Sequence, residues 1–428
     1  LREPMMNDVV LAFSGGLDTT YCLLYLRAEC GYRVHTVTVD TGGFTSEEKA
    51  AIERRAYELG AATHTTLNCS RVLYDQCIRY LVFGNVLRYG TYPLSVSAER
   101  AIQARVIVDV ARQRGARALA HGSTGAGNDQ VRFDAAWSIL APEMAIITPI
   151  RDGNITREQA LAYLHTHGVS LEHYRPPYSV NRGIWGTTIG GCETLTSHER
   201  LPDDAFPTPI TEDGSKRLTL HFIRGELVGL DGTLFEHPLE AITSLEQIAT
   251  SWGVGRGIHT GDTIIGTKGR VGFQAAAAIV TIAVHRALEK HTLTKWQLSL
   301  EEHLALWYGQ LHHEGMFEEP ALRAIETFFE RTQRTVTGDV LIELAPKRFE
   351  IEGVISPHDL MNAQFGRYGE EVQTGTRKTC VVLPASQRNS FASSAQLMGM
   401  SYEASWYHRR KWICRDRAFT TACIPSAG

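Results

Sequence analysis

The chain has no run of residues able to cross a bilayer as a helix. Its longest weakly polar stretch, Ala275 to Val284, contains Thr281 and falls well short of the ~20 residues a spanning helix needs. It has no excess of either charge. Lys plus Arg total 43 and Asp plus Glu 47, a net of −4, which removes any general electrostatic case for a nucleic-acid coat or an anionic-membrane binder. The cysteines at 22, 30, 69, 77, 192, 380, 414 and 423 form no CxxC and no paired zinc spacing. In so long a chain they read as scattered reduced thiols of a cytoplasmic protein, with Cys22 a small core residue. No charged-then-apolar leader opens the sequence, and Met5 or Met6 is the expected natural start. Asn68-Cys69-Ser70 and Asn154-Ile155-Thr156 are therefore read as chance matches to the glycosylation pattern. There is no internal repeat and no Walker loop. The stretch Gly261 to Lys268 comes near one, with Lys and Thr in the wrong order.

What is present is 428 residues, 43% hydrophobic and 21% charged, enough for two to three domains at about 150 residues each. The first part alternates strand and helix patterns. Val9 to Phe13, Val34 to Val39, Ala61 to Leu67, Ala116 to Ala120 and Ala145 to Thr148 read as strands. Between them lie a helix from Leu17 to Cys30, one opened by a Thr45/Glu48 capping box and stopped at Gly60, and one capped by Ser97 and ended by Gly115. Such alternation predicts an α/β domain with a parallel sheet whose ligands bind at the carboxyl ends of its strands. Arg157 to His167 reads as a linking helix and 202–214 as a loop. Hairpins at Leu218–Leu230 and Val336–Ile355 and helices near 275–290, 297–310 and 319–333 make an α+β second domain. The expected boundaries are 1–169, 170–375 and a C-terminal arm, 376–428, with a helix near 390–412 and a loose end.

Two strings carry chemistry. Ser14-Gly15-Gly16-Leu17-Asp18-Thr19-Thr20 follows a strand and opens a helix. Its glycines let backbone amides crowd one point, its hydroxyls add donors, and the helix start adds its dipole, which are the parts of an anion cradle. Asp18 in such a cradle suggests a neighbouring Mg²⁺. The turn resembles the SGGxD[TS] loop of the ATP pyrophosphatases, which cleave ATP between its α and β phosphates. The second string, His121 to Phe133, follows the strand Ala116–Ala120 and gathers three glycines with Thr124, Asn128, Asp129, Gln130 and Arg132. It resembles the HGxTGxGNDQxRFE signature of the argininosuccinate synthase family, with Asp134 in place of the usual Glu. That family joins citrulline to aspartate while converting ATP to AMP and pyrophosphate.

The resemblance runs from residue 8 to about 370. It includes Tyr92 to Arg100, Tyr178 to Thr188, Gly253-Val254-Gly255-Arg256 to Gly269-Arg270, and Ser356-Pro357. It implies a PP-loop, adenine-nucleotide alpha-hydrolase-like domain, an α+β synthetase domain and a C-terminal helical tail, assembled as a homotetramer. Carried over by position, Ala12, Phe13, Ser14, Gly15, Gly16, Leu17, Asp18, Thr19, Thr20 and Val39, with His121 to Asn128 including Gly122, would hold ATP and its Mg²⁺. Thr124, Asn128 and Asp129 would hold aspartate, and Tyr92, Ser97, Arg132, Ser179 and Thr188 citrulline. Asp18, Asp129 and Arg132 are the catalytic candidates, Asp129 as the group orienting the aspartate amine. Three positions depart from the family: Gly261 where it has a citrulline-contacting Glu, Phe273 where it has Tyr, and Val96 where it has Thr. They leave open a ligase for a modified citrulline or another ureido or carboxyl substrate.

A tRNA-modifying pyrophosphatase is disfavoured by the missing cysteine pair. A non-enzymatic nucleotide-binding module is disfavoured by the intact His121–Phe133 string. His303, His312 and His313 are read as solvated or core histidines, not metal ligands. Trp296 and Trp307 are read as core or interface residues, and Arg409-Arg410-Lys411 as a solvated run.

Overall fold

The computed structural model describes residues 8–169 and 178–362. The C-terminal arm, its expected helix and the basic run at 409–411 lie outside the described residues. The first part is a five-stranded, wholly parallel sheet. Its strands are β1 (Asp8–Ala12), β2 (Arg33–Asp40), β3 (Thr63–Asn68), β4 (Ala118–Ala120) and β5 (Ala145–Ile147), in the order β3-β2-β1-β4-β5. Around it run α1 (Leu17–Ala28), α2 (Ser46–Glu58), α3 (Ser70–Leu73), α4 (Arg79–Phe83), α5 (Ser95–Arg114), α6 (Asp129–Leu140), α7 (Pro149–Asp152) and α8 (Arg157–Thr166), with a π-helical stretch, Tyr74–Ile78, between α3 and α4.

Local chemistry sets these boundaries. The Thr45/Glu48 capping box forms as the spacing predicts, Oγ1 accepting from the Glu48 amide at 3.2 Å and Glu48 Oε2 from the Thr45 amide at 2.9 Å. The expected cap at Ser97 does not form. Helix α5 opens three residues earlier, after Leu94 in a left-handed conformation (φ 59°), and Ser97 lies inside it with its hydroxyl donating to the Leu94 carbonyl at 3.0 Å. The second half of the Gly-rich string is also not loop: from Asp129 it is the helix α6.

The later residues form two antiparallel sheets. The strands β6 (Ser179–Asn181), β7 (Thr187–Gly190), β11 (Arg256–Asp262) and β12 (Lys268–Gln274) are ordered β11-β12-β7-β6. The other sheet is β10-β9-β8-β13-β14, from β8 (Lys216–Ile223), β9 (Glu226–Leu230), β10 (Thr233–Leu234), β13 (Gly338–Ala345) and β14 (Arg348–Ile355). Helices α9 (Pro238–Ser251), α10 (Ala276–Thr292), α11 (Lys295–His313) and α12 (Pro320–Thr332) complete it. The stretch that came near a Walker loop is the β11–β12 hairpin, with Gly261 paired to Gly269. No helix among the described residues is long and apolar enough to cross a membrane. Trp296 and Trp307 on α11 are 59% and 65% exposed, so neither is a core residue of this chain.

One apolar core runs from Val10 and Val37 on one face of the parallel sheet through Ile102 and Val108 of α5 to Leu245, Val284 and Ile342. The opposite face packs Leu11, Leu23 and Leu26 with Ile52 and Leu164 in a separate core that includes Cys22.

The larger core carries a polar insert. Asn85 Nδ2 donates to both Glu289 and Glu301, Gln333 Nε2 donates to Glu289 Oε1 at 2.8 Å, and His285 sits between Asn85 Oδ1 (2.9 Å) and Gln333 Oε1 (2.8 Å). Burial raises both carboxyls above the ordinary range and holds the His285 ring down to about 4. A carboxyl raised on folding binds a proton that the unfolded chain releases. Its stabilisation is complete below the ordinary carboxyl pKa and is lost as pH rises through the folded value. Glu301→Gln, which keeps the neutral form's shape, is therefore expected to flatten the fall in Tm between about pH 5 and pH 8. Thermal melts across that range check it; parallel curves for variant and wild type would mean that Glu301 is ionised in the fold.

Candidate active site

Both motif strings leave the carboxyl ends of β1 and β4, adjacent strands at the centre of the sheet. Chain order reverses there, which is where an open parallel sheet leaves a crevice for a ligand. Two cavities of about 470 and 510 Å³ lie at this crevice and share walls of Asp18, Val96, Gly122, Ser123, Asp129, Ser179 and Thr188.

The first cavity is built on the β1–α1 turn. The first intrahelical bond of α1 runs from the Thr20 amide to the Gly16 carbonyl, so the amides before it have no partner within the helix. The turn is held from behind by Arg55 Nη1 on the Gly15 carbonyl (2.8 Å) and Thr38 Oγ1 on the Phe13 carbonyl (2.6 Å). Ser14 Oγ and Thr19 Oγ1 lie 3.3 Å apart at its mouth. A Cβ on Gly122 would come within 3.1 Å of the Asp18 carbonyl carbon and 3.2 Å of the Thr19 amide nitrogen, so any larger residue would push the two loops apart by a few tenths of an ångström. Burial raises the Asp18 carboxyl, with Arg157 opposing.

The second string supplies a charged ladder. Asp129 accepts from Arg100 Nε at 2.9 Å and from Arg132 Nη1 at 3.0 Å. Burial alone would raise its carboxyl, but the two guanidiniums outweigh it and hold it below the ordinary range. Arg132 is itself pinned, donating through Nε and Nη2 to the His313 carbonyl at 3.1 and 3.0 Å. Asn128 Oδ1 accepts from the Ile264 amide at 2.8 Å and so ties this loop to the β11–β12 turn. His121, buried behind the loop, accepts from the Ser123 amide through Nδ1 (3.1 Å), which leaves Nε2 to donate to Asp134 (3.1 Å). Asp134 also pairs with Arg151, which fixes the carboxylate that orients the ring.

The fold brings most of the sequence candidates to these walls. Ala12, Phe13, Ser14, Gly16, Leu17, Asp18, Thr19 and Val39 line the first cavity. Tyr92, Thr124, Asn128, Arg132 and Gly261 line the second, while Gly122, Asp129, Ser179 and Thr188 line both. Four candidates are on neither wall: Gly15, Thr20, Ser97 and Phe273. Ser97 is 1% exposed with its hydroxyl turned back into α5. Phe273 packs edge-on against Tyr92 with centroids 5.7 Å apart, as a wall support.

Several wall residues were not among the sequence candidates. Glu99, 1% exposed, faces Arg100 at 3.7 Å, and burial, reinforced by Asp129, pushes its carboxyl up to about 8. Arg88, His259 and His313 reach the second cavity from a turn, from β11 and from the end of α11. No local spacing announces them, because long-range packing assembles them.

This strand–loop–helix cradle at the reversal of a parallel sheet defines a nucleotide-binding domain of the PP-loop class, joined to a synthetase domain. Comparison with known proteins carries the assignment further. Residues 8–170 match the arginosuccinate synthase N-terminal HUP domain and residues 178–382 the arginosuccinate synthase C-terminal domain. The chain belongs to the argininosuccinate synthase family, ligases that form a carbon–nitrogen bond. Relatives named argininosuccinate synthase include one from Xanthomonas campestris, 37% identical over 87% of this chain and 94% of the relative. Another, from Methanocaldococcus jannaschii, is 33% identical over 86% and 93%. A third, from Sulfolobus acidocaldarius, is 33% identical over 85% and 91%.

Proposed function

We propose that the paired cavities form one site that ligates citrulline to aspartate at the expense of ATP. The observation that carries this reading is the shared wall: Asp18 of the phosphate cradle and Asp129 of the charged ladder border the same continuous space. A urea carbon is a poor electrophile, so it must be activated. The ureido oxygen attacks the α-phosphorus of ATP, the α–β phosphoanhydride breaks, and pyrophosphate leaves. The aspartate amine then attacks the ureido carbon of the adenylate, and AMP departs with that oxygen. Free amides at the start of α1 and the hydroxyls of Ser14 and Thr19 stabilise the pyrophosphate. Asp129, already anionic, accepts a hydrogen bond from the aspartate ammonium beside Thr124 and Asn128 and holds its nitrogen toward the adenylate; the ammonium gives up a proton to solvent before its lone pair attacks.

Asp18 fits a role in holding Mg²⁺. Its carboxylate is on the cradle wall and, among the described residues, takes no hydrogen bond from a protein donor. No cluster of three His, Cys, Asp or Glu able to hold a metal exists among them, so the ion would be bound by this carboxylate, phosphates and water. Bound there, it supplies charge neutralisation for the leaving pyrophosphate.

The homotetramer and cytoplasmic setting belong to the same proposal. Trp296, Leu300 and Trp307, all exposed on α11 at spacings of four and seven, form an apolar stripe that a homo-oligomer would cover. The functional test is pyrophosphate release from ATP with citrulline, aspartate, both, tRNA or no acceptor. Release that needs citrulline, and argininosuccinate only when aspartate is added, supports the reading. Release with tRNA alone sinks it.

A further inference from the structure

The second cavity has on its wall a buried guanidinium that no carboxylate among the described residues touches. Arg88 lies on it, 7% exposed. Its Nη1 donates to Gln310 Oε1 at 3.0 Å, its Nη2 reaches the Asp262 carbonyl only at 3.5 Å, and its Nε has no partner. The Tyr89 ring lies 4.8 Å from the guanidinium. None of the acids on this cavity forms an ion pair with it. Asp262 pairs with Lys268 at 2.6 Å, Asp129 is taken by Arg100 and Arg132, and Asp18 belongs to the phosphate cradle. Asp262 is near enough for the Arg88 charge to help lower its carboxyl, but it gives the guanidinium no hydrogen bond from that carboxyl. A buried guanidinium whose fork meets no carboxylate is costly, and a carboxylate is the partner that fork fits.

Three of the five side chains expected to hold citrulline are already engaged. Arg132 is held by Asp129 and the His313 carbonyl, the Tyr92 hydroxyl by Ser95 Oγ at 3.0 Å, and the Ser97 hydroxyl by its own helix.

Beside the cradle and ladder acids, the same wall offers an ammonium one carboxylate, Asp262, and Lys268 already pairs with it at 2.6 Å. A Cβ on Gly261 would lie 2.7 Å from His259 Nε2, so the imidazole fills the room that a side chain at 261 would need. His259 Nδ1 is 3.0 Å from Thr91 Oγ1, whose hydroxyl donates to the Arg88 carbonyl at 3.3 Å. That chain puts the ring proton on Nδ1 and leaves Nε2 a neutral acceptor. Burial, with Arg88 nearby, holds the ring pKa below its ordinary value, so it stays uncharged. A neutral acceptor gives an amine one hydrogen bond and no counter-charge.

Resting on the ligase reading above, we propose that Arg88 anchors the carboxylate of the ureido substrate, and that the site chooses its acceptor by that carboxylate and not by its amine. The substrate class is then ureido carboxylic acids, with the amine free, acylated or absent. The test compares three acceptors on the wild-type protein with ATP and aspartate saturating: citrulline, 5-ureidopentanoate, which lacks the amine, and 4-ureidobutylamine, which lacks the carboxylate. The expected kcat/KM for 5-ureidopentanoate is within about tenfold of citrulline's, and that for 4-ureidobutylamine about a hundredfold lower. Arg88→Gln should raise KM for the two acids about ten- to a hundredfold, leave kcat nearly unchanged and barely affect 4-ureidobutylamine, while Arg88→Lys should restore part of the loss. The proposal is overturned if 4-ureidobutylamine matches citrulline, if 5-ureidopentanoate is the poor substrate, or if Arg88→Gln scales all three alike. Those results leave the ligase reading standing. Failure of every ureido compound to release pyrophosphate would instead remove the ligase reading, and this inference with it.

Discussion

Asp129→Asn is expected to raise KM for aspartate about ten- to a hundredfold, the loss of one charge-assisted contact worth roughly 1.5–3 kcal/mol. ATP binding should be nearly intact. The structure adds a second consequence that the motif alone does not suggest. Asp129 is the acid that neutralises Arg100 and Arg132, and Arg132 is buried. A neutral amide keeps one acceptor and loses the charge, so Tm should fall as well, by the equivalent of about 2 kcal/mol. Steady-state kinetics and a thermal melt on the same preparation separate the two effects. An unchanged Tm would contradict the ion pairs, and an unchanged aspartate dependence would take Asp129 out of the acceptor site.

Asp18→Ala should behave in the opposite way on stability. Asp18 is partly buried in the cradle, and burial raises its carboxyl, so the fold gains nothing from its charge. Removing it is expected to leave Tm unchanged or raise it. Pyrophosphate release should meanwhile fall about 100- to 1000-fold, the scale of losing one preorganised electrostatic contact to a transition state. Ser14→Ala should cost less, since the exposed Ser14 hydroxyl shares the mouth of the loop with Thr19. Wild-type turnover in Asp18→Ala at saturating ATP and Mg²⁺ would reduce the loop to a structural turn.

Local signals were legible wherever the chemistry is local. The Thr45/Glu48 pair forms its capping box, the Ser14–Thr20 turn opens α1, and the hairpins at 218–230 and 336–355 fold as β8–β9 and β13–β14. Signals that depend on distant partners were not. Ser97 looks like a cap because Ser often is one, but a left-handed Leu94 starts the helix first. The resemblance makes Phe273 a citrulline-site candidate, yet its ring packs edge-on against Tyr92 and lines neither cavity. Arg88, His259 and His313 meet only because β11 and the end of α11 close over the turn after α4. Nothing in the spacing of residues 88, 259 and 313 encodes that meeting.

Whether the ureido oxygen itself attacks ATP is decided by where that one atom ends. Citrulline labelled with oxygen-18 in its ureido group should pass the label to AMP in a single turnover with aspartate, one labelled oxygen per AMP, with none in pyrophosphate. Unlabelled AMP formed alongside ligated product would contradict the account.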